Sequence, residues 1–178
     1  IVDGDDNHLV FGVKRDVTTE HEGEVSTILH DEISEGDMIN LSAPVGGFSI
    51  ENTERPQLFI GSGVGMTPLV SMFKKAASLN VPTQMIQAVV TEDERPFAQK
   101  LDSITTNHEQ AQLHLHVKDK EGYLEAKELE QYLSEQPEIY ICGGTNFLHS
   151  IINSLKELNY DMNHVHFETF IPRLSVQV

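Results

Sequence analysis

From Pro56 onward, short apolar runs alternate with longer stretches of helical spacing, and no other feature of the sequence restricts the fold as much. The runs are Leu58-Phe59-Ile60, Met85 to Val90, Gln112 to Val117, Ile139 to Cys142 and His164 to Phe167. Between them lie helical patterns at Pro68 to Leu79, about Phe97 to Ile104, Ala126 to Leu133 and Asn146 to Leu158. A chain that leaves a strand through a helix and rejoins the sheet comes back parallel, by a right-handed crossover. The rhythm therefore predicts an α/β fold over residues 54–178, with a doubly wound five-stranded parallel sheet.

Residues 1–53 read differently. His8 to Lys14 alternates polar and apolar side chains, the pattern of a half-buried strand, and Met38 to Leu41 reads as a second strand after the Gly36-Asp37 turn. Between them Val25, Ile28, Leu29 and Ile33 carry helical spacing. Pro44-Val45-Gly46-Gly47 interrupts regular structure, and Glu51 to Pro56 is polar enough to be a linker. This part is β-rich and too short to close a barrel alone.

With 28 acidic against 12 basic residues the net charge is −16, which repels phosphate backbones and anionic lipid. No nucleic acid and no membrane is expected as a partner, and the acidic surplus reads first as a device for solubility. Cys142 is the only cysteine, so no internal disulfide and no thiol cluster for zinc or iron–sulfur can form. A reducing, cytoplasmic setting fits that usage. No apolar run approaches the roughly 20 residues of a membrane span, and no basic segment followed by an apolar one stands at the start, so no signal peptide is expected.

Four constellations point to chemistry. The first is Gly61-Ser62-Gly63-Val64-Gly65-Met66-Thr67-Pro68, directly after the first strand of the α/β part. Glycines let backbone amides approach a diphosphate, and the following helix presents unpaired N–H groups and a positive dipole end. Thr67 is the expected N-cap, with Pro68 at the first helical position. The spacing departs from Gly-x-Gly-x-x-Gly, and a plain tight turn is the competing reading. The second is Cys142-Gly143-Gly144, ending the fourth strand of the sheet, where ligands of open α/β sheets gather; a merely buried cysteine is the alternative. The third is the tail, where Glu168 and Phe170 either face that crevice or simply finish the last core strand. The fourth is Gly23-Glu24-Val25-Ser26-Thr27, a second glycine-and-hydroxyl helix start, suited to phosphate or to simple capping. Two histidine pairs, His114/His116 and His164/His166, place their rings on one face of a strand, but no acidic or thiol partner is evident, so no metal site is expected.

Taken together these motifs resemble the reductase module of the ferredoxin–NADP reductase superfamily, most closely the C-terminal end of bacterial flavohaemoglobins. The resemblance implies a fold in which the nucleotide-binding α/β domain, 54–178, follows a remnant of an antiparallel FAD-binding β-barrel, 1–53. Gly61, Gly63, Val64, Gly65, Met66, Thr67 and Pro68 would bind the diphosphate of the nicotinamide dinucleotide. Cys142, Gly143 and Gly144 would lie beside the nicotinamide ring, and Phe170, after Glu168 and Thr169, would cover the flavin. Cys142, Glu168 and Phe170 are thus the expected catalytic group. Gly23, Val25, Ser26 and Thr27 would hold the flavin diphosphate, and Pro44 to Phe48 resembles the Pro-x-Gly-x-Phe turn of the barrel.

The family's Arg-x-Tyr-Ser flavin motif is missing, and its expected place lies just before Ile1. The globin domain that would carry haem would come earlier still. The expected cofactors are therefore NADH, with FAD held weakly or not at all by this chain alone, and the expected partner is a globin domain of the same parent. The parent would pass hydride from NADH to FAD and electrons to haem, turning nitric oxide and oxygen into nitrate. A reductase serving another acceptor, or a nucleotide-binding piece without turnover, are the alternatives. Glu92, after the second strand of the sheet, would repel a 2′-phosphate, with Arg95 the only cation close in sequence, so NADH is expected over NADPH.

Overall fold

The computed structural model describes residues 3–4, 7–17, 23–43 and 45–169. The chain opens with β1 (Asp3–Gly4) and β2 (Leu9–Val10), then α1 (Glu24–Asp31). The α/β part follows as β3 (Gln57–Ser62), α2 (Met66–Ala77), β4 (Thr83–Val89), α3 (Ala98–Asn107) and β5 (Ala111–Val117). It continues through α4 (Lys118–Glu121), α5 (Ala126–Leu129), β6 (Glu138–Gly143), α6 (Thr145–Glu157) and β7 (Val165–Thr169).

The strands from β3 onward form one five-stranded sheet in the order β5-β4-β3-β6-β7, every pair parallel. This is the predicted doubly wound architecture. The central runs are apolar because their strands are covered on both faces: every residue of β6 is buried, as is β3 from Gln57 to Gly61. Phe59 and Tyr140 point into a core filled by Leu69, Val70 and Phe73 of α2 and Leu101 of α3. Leu58, Ile60, Ile139 and Ile141 point the other way, onto Leu148, Ile151 and Leu155 of α6 and Leu129 of α5. In α2 the buried positions Met66, Leu69, Val70 and Phe73 recur at three- and four-residue spacing, one apolar stripe facing the sheet. Among the described residues no helix is long and apolar enough to cross a membrane.

The N-terminal part differs from expectation in two places. The strand expected over His8 to Lys14 shrinks to Leu9–Val10, paired antiparallel with Asp3–Gly4. Met38 to Leu41 forms no strand; Met38 is 96% exposed and, among the described residues, nothing pairs with it. A strand exists only when a neighbour takes its N–H and C=O groups, and local alternation cannot supply that neighbour. The helix expected near Val25 to Ile33 is α1.

The polar stretch Glu51 to Pro56 is strapped to the sheet. The Glu51 amide donates to the Tyr140 hydroxyl at 2.9 Å, and the Gln57 side-chain amide donates to the carbonyls of Asn52 and Arg55 at 2.8 and 2.7 Å. Phe48 and Ile50 pack against the core on the α2 side.

Candidate functional site

Strand order makes a crevice. The chain runs outward from β3 to β4 and β5 in one direction and from β6 to β7 in the other, so connections diverge between β3 and β6. Open α/β sheets take ligands at the carboxyl ends of strands where connections part in this way. The glycine loop after β3 and the Cys142-Gly143-Gly144 segment of β6 meet there.

The three loop glycines serve different needs. Gly65 touches the neighbouring strand: a Cβ there would stand 2.5 Å from the Gly143 nitrogen and closer still to the carbonyl of Cys142. Gly61 makes room for Met66 and Leu69 of α2. Gly63 has φ +55, the left-handed region that suits glycine, and a Cβ on it would meet nothing within 4 Å. On β6, Gly143 lies against the Phe147 ring, whereas Gly144 faces open space. Gly63 and Gly144 therefore leave the backbone bare, Gly63 in the lining of a cleft.

The predicted cap at Thr67 is corrected. A tight turn over Gly63 to Gly65 runs straight into α2, which starts at Met66 with Gly65 as N-cap. Thr67 is buried, its hydroxyl donating to the Val64 carbonyl at 2.8 Å, and Pro68 sits in the first turn behind it. Glycines can wind the first turn themselves, so no side chain is needed to begin it. Neither α2 nor α6, whose N-cap is Gly144, has a side-chain cap; at α2 the preceding turn takes up the Met66 amide through the carbonyls of Gly63 and Val64.

Two clefts flank the glycine loop. One, about 600 Å³, is lined by Gly63, Val64 and Thr67 together with Lys14 and Phe97. The other, about 500 Å³, is lined by Ser62, Val90, Lys118, Tyr123 and Asn146. Tyr123 is 66% exposed and its ring carries the Lys118 ammonium 4.5 Å above it.

The environment of Glu92 is also corrected. Arg95, the cation near it in sequence, bonds Gln87 at 3.3 Å and Asp102 at 3.1 Å instead. Glu92 pairs with Lys120, which follows β5 and reaches it because β4 and β5 are neighbours. The hydrogen bond from Lys120 holds the Glu92 carboxyl below its ordinary range and raises the lysine in turn. Lys118, Lys120 and Tyr123 went unnoticed in the sequence because a charged run after a strand looks like a solvated turn.

Cys142 is fully buried, and its register partner on β7 is Glu168. Burial, assisted by the Glu168 charge, pushes the thiol up to about 12, so it stays protonated at neutral pH. As placed it shapes the crevice and offers no nucleophile. Alkylation by iodoacetamide at pH 8 is expected to run about a thousandfold slower than for a free cysteine, followed by intact mass. Rapid labelling of the folded chain would contradict the placement. Phe170 lies outside the described residues.

At the fourth constellation Gly23 caps α1 without a side-chain bond. Ser26 is internally engaged: its hydroxyl donates to the Gly23 carbonyl at 2.9 Å and accepts the Asp16 amide at 3.1 Å. The Thr27 hydroxyl is buried and has no partner among the described residues, and Val25 is 70% exposed. His164 and His166 do have an acidic partner, contrary to expectation: Glu138 lies between them.

Residues 59–152, more than half of the chain, match the oxidoreductase NAD-binding domain family. The flavohemoprotein of Bacillus cereus is 30% identical over 172 residues, covering 88% of this chain and 43% of the relative. That of Bacillus subtilis is 28% identical, covering 90% and 44%. The chain thus spans less than half the length of these curated relatives. Among solved structures, the flavohem-like FAD/NAD-binding domain of nitric oxide dioxygenase from Vibrio cholerae superposes with a TM-score of 0.75 at 26% identity, covering 85% of this chain and 66% of that one. The Malassezia yamatoensis flavohemoglobin, with bound FAD and heme, shares the fold at TM-score 0.71 and 17% identity, covering 89% and 46%. A sheet with this switch point, a bare glycine loop at it and a matching sequence over its central strands lead to one conclusion: this chain belongs to the oxidoreductase NAD-binding domain family.

Proposed function

We propose that the chain is the NADH-binding portion of a flavin reductase, and that the whole protein is a flavohemoprotein acting on nitric oxide. Residues 1–53 would then belong to the flavin-binding part and 54–178 to the nucleotide-binding domain. The observation that carries the reading is the bare backbone at Gly63 and Gly144, flanking the point where the connections from β3 and β6 part. A diphosphate would sit beside the starts of α2 and α6, neither of which has a side-chain cap and whose positive dipole ends favour an anion. Tyr123 offers a flat face for the adenine in the neighbouring cleft. Cys142 and Glu168, adjacent across β6 and β7, would stand at the nicotinamide end. At α1, the uncapped Gly23 start and the unpaired Thr27 hydroxyl suit a flavin diphosphate.

When bound, NADH supplies a hydride, FAD accepts it, and haem in the globin part of the parent would take electrons singly. What this chain contributes is position: the glycine loop anchors the diphosphate, and the buried, protonated Cys142 keeps water from the end of β6.

Glu92, two residues beyond Val90 of the adenosine-side cleft, sets the preference for NADH by occupying Lys120. Calorimetry of the 178-residue chain is expected to show saturable NADH binding, displaced by ADP-ribose and tighter than NADPH by roughly tenfold. Glu92→Gln should narrow that gap by freeing Lys120 for a 2′-phosphate. No binding of either nucleotide refutes the reading, and equal or tighter NADPH binding refutes the preference.

A further inference from the structure

Outside the crevice, a polar group of the sheet with several partners is Glu138. It is the first residue of β6 and only 3% exposed, yet it is a carboxylate. Its two oxygens are divided: Oε1 accepts from His164 Nδ1 at 2.8 Å, and Oε2 from His166 Nε2 at 2.9 Å. Arg55, from the strap before β3, brings Nε to 3.5 Å of Oε1 and donates from Nη1 to His164 Nε2 at 3.0 Å. A guanidinium can only donate, so His164 Nε2 accepts and its proton resides on Nδ1, facing Glu138. The His166 ring stacks on Tyr140 at 4.9 Å, and Tyr140 stacks on Phe59 at 5.2 Å, so three neighbouring strands share one column of rings.

Both histidines belong to β7 or its approach, and β7 needs a grip. Among the described residues it is an edge strand of five residues, paired only with β6, with Val165 as its one buried side chain. The same short strand carries Glu168 opposite Cys142 and Thr169 opposite Gly143.

We infer that Glu138 is a positioning residue of the crevice: by holding His164 and His166 together it fixes β7 against β6, and so sets where Glu168 and Thr169 stand. The functional half of this rests on the dinucleotide reading above; the grip on β7 does not.

The groups that face the carboxylate give it a pH signature. They are Arg55 on the strap, His164 just before β7 and His166 on it, Asp161 3.8 Å from His164, and the phenols Tyr140 and Tyr160. Burial opposes ionisation of Glu138, but the hydrogen bonds from His166 and His164 outweigh it and hold the carboxyl below the usual glutamate range. A carboxyl lowered on folding stabilises the fold above its ordinary pKa, about 4.3, and loses that contribution as pH falls through the lowered value.

The test uses the full chain and Glu138→Gln, which keeps the shape and removes the charge. Amide exchange in β7 at pH 7 should become about tenfold faster or more, while β3 and β4 stay within about twofold of wild type. Affinity for NADH should fall severalfold with ADP-ribose affinity unchanged, because only the nicotinamide end is displaced. Wild-type β7 protection, corrected for intrinsic exchange, should drop as pH falls below the glutamate range, and the variant should be flat there. Unchanged β7 exchange in the variant, or equal weakening of both nucleotides, overturns the proposal. If wild type binds neither nucleotide, the dinucleotide reading and the functional half that rests on it are overturned, and β7 exchange still decides the grip. If the variant does not fold, a wild-type β7 whose protection is flat with pH overturns the proposal.

Discussion

Alanine at Gly65 is expected to lower the melting temperature by about 10 °C, a cost of roughly 3 kcal/mol in a chain of this size. The added Cβ would collide with the Cys142 carbonyl and the Gly143 nitrogen, which are backbone atoms of β6. They cannot retreat, because β6 is hydrogen-bonded on one side to β3 and on the other to β7. The loop must therefore lift, and α2, which begins at the next residue, must lift with it. Gly61→Ala should cost less, since its new methyl meets only the flexible ends of Met66 and Leu69. Gly144→Ala is the control: φ is −67 and nothing lies within 4 Å of the new atom, so stability should stay at the wild-type level. Scanning calorimetry of the three variants checks the order. A Gly65→Ala melting temperature within about 2 °C of wild type would remove the close approach on which the crevice depends.

Why the sheet was legible and its edges were not follows from where each signal is written. Leu58-Phe59-Ile60 and Ile139 to Cys142 are covered on both faces, so burial itself writes an unbroken apolar run into the sequence. Helices such as α2 write their stripe at helical spacing for the same reason. Met38 to Leu41 reads as a strand after a turn, yet pairing is decided by whatever lies beside it, and nothing among the described residues does. Thr67 and Pro68 carry the chemistry of a helix start, but the turn at Gly63 to Gly65 completes the start earlier. Lys120 reaches Glu92, and Glu138 reaches His164 and His166, across 26 or more positions, a proximity that exists only once parallel register is set. Even the glycine loop was only half readable. Three glycines in a row of alternate positions look interchangeable, while the fold assigns one to packing against β6, one to α2 and one to open space.

That division makes Gly63→Val the sharper test of function. At φ +55 a β-branched residue is strained by about 1–2 kcal/mol, a few degrees of melting temperature in a chain of this length. Nothing in the protein meets the new Cβ, so the sheet, α2 and the Gly65 contact all persist. The two methyl groups, however, project into the space that leaves the loop amides bare, and the strain favours a loop path that turns those amides away. NADH affinity is expected to fall by about a hundredfold or more, since amide contacts to a diphosphate are charge-assisted and fail together when the approach is blocked. Gly65→Ala would weaken binding too, but only by spoiling the fold, and its melting curve would say so. A folded Gly63→Val chain that still binds NADH within about threefold of wild type would mean the diphosphate is held elsewhere. In that case the bare backbone beside Cys142 would be a feature of packing alone, and the glycine loop would lose its claim to the cofactor.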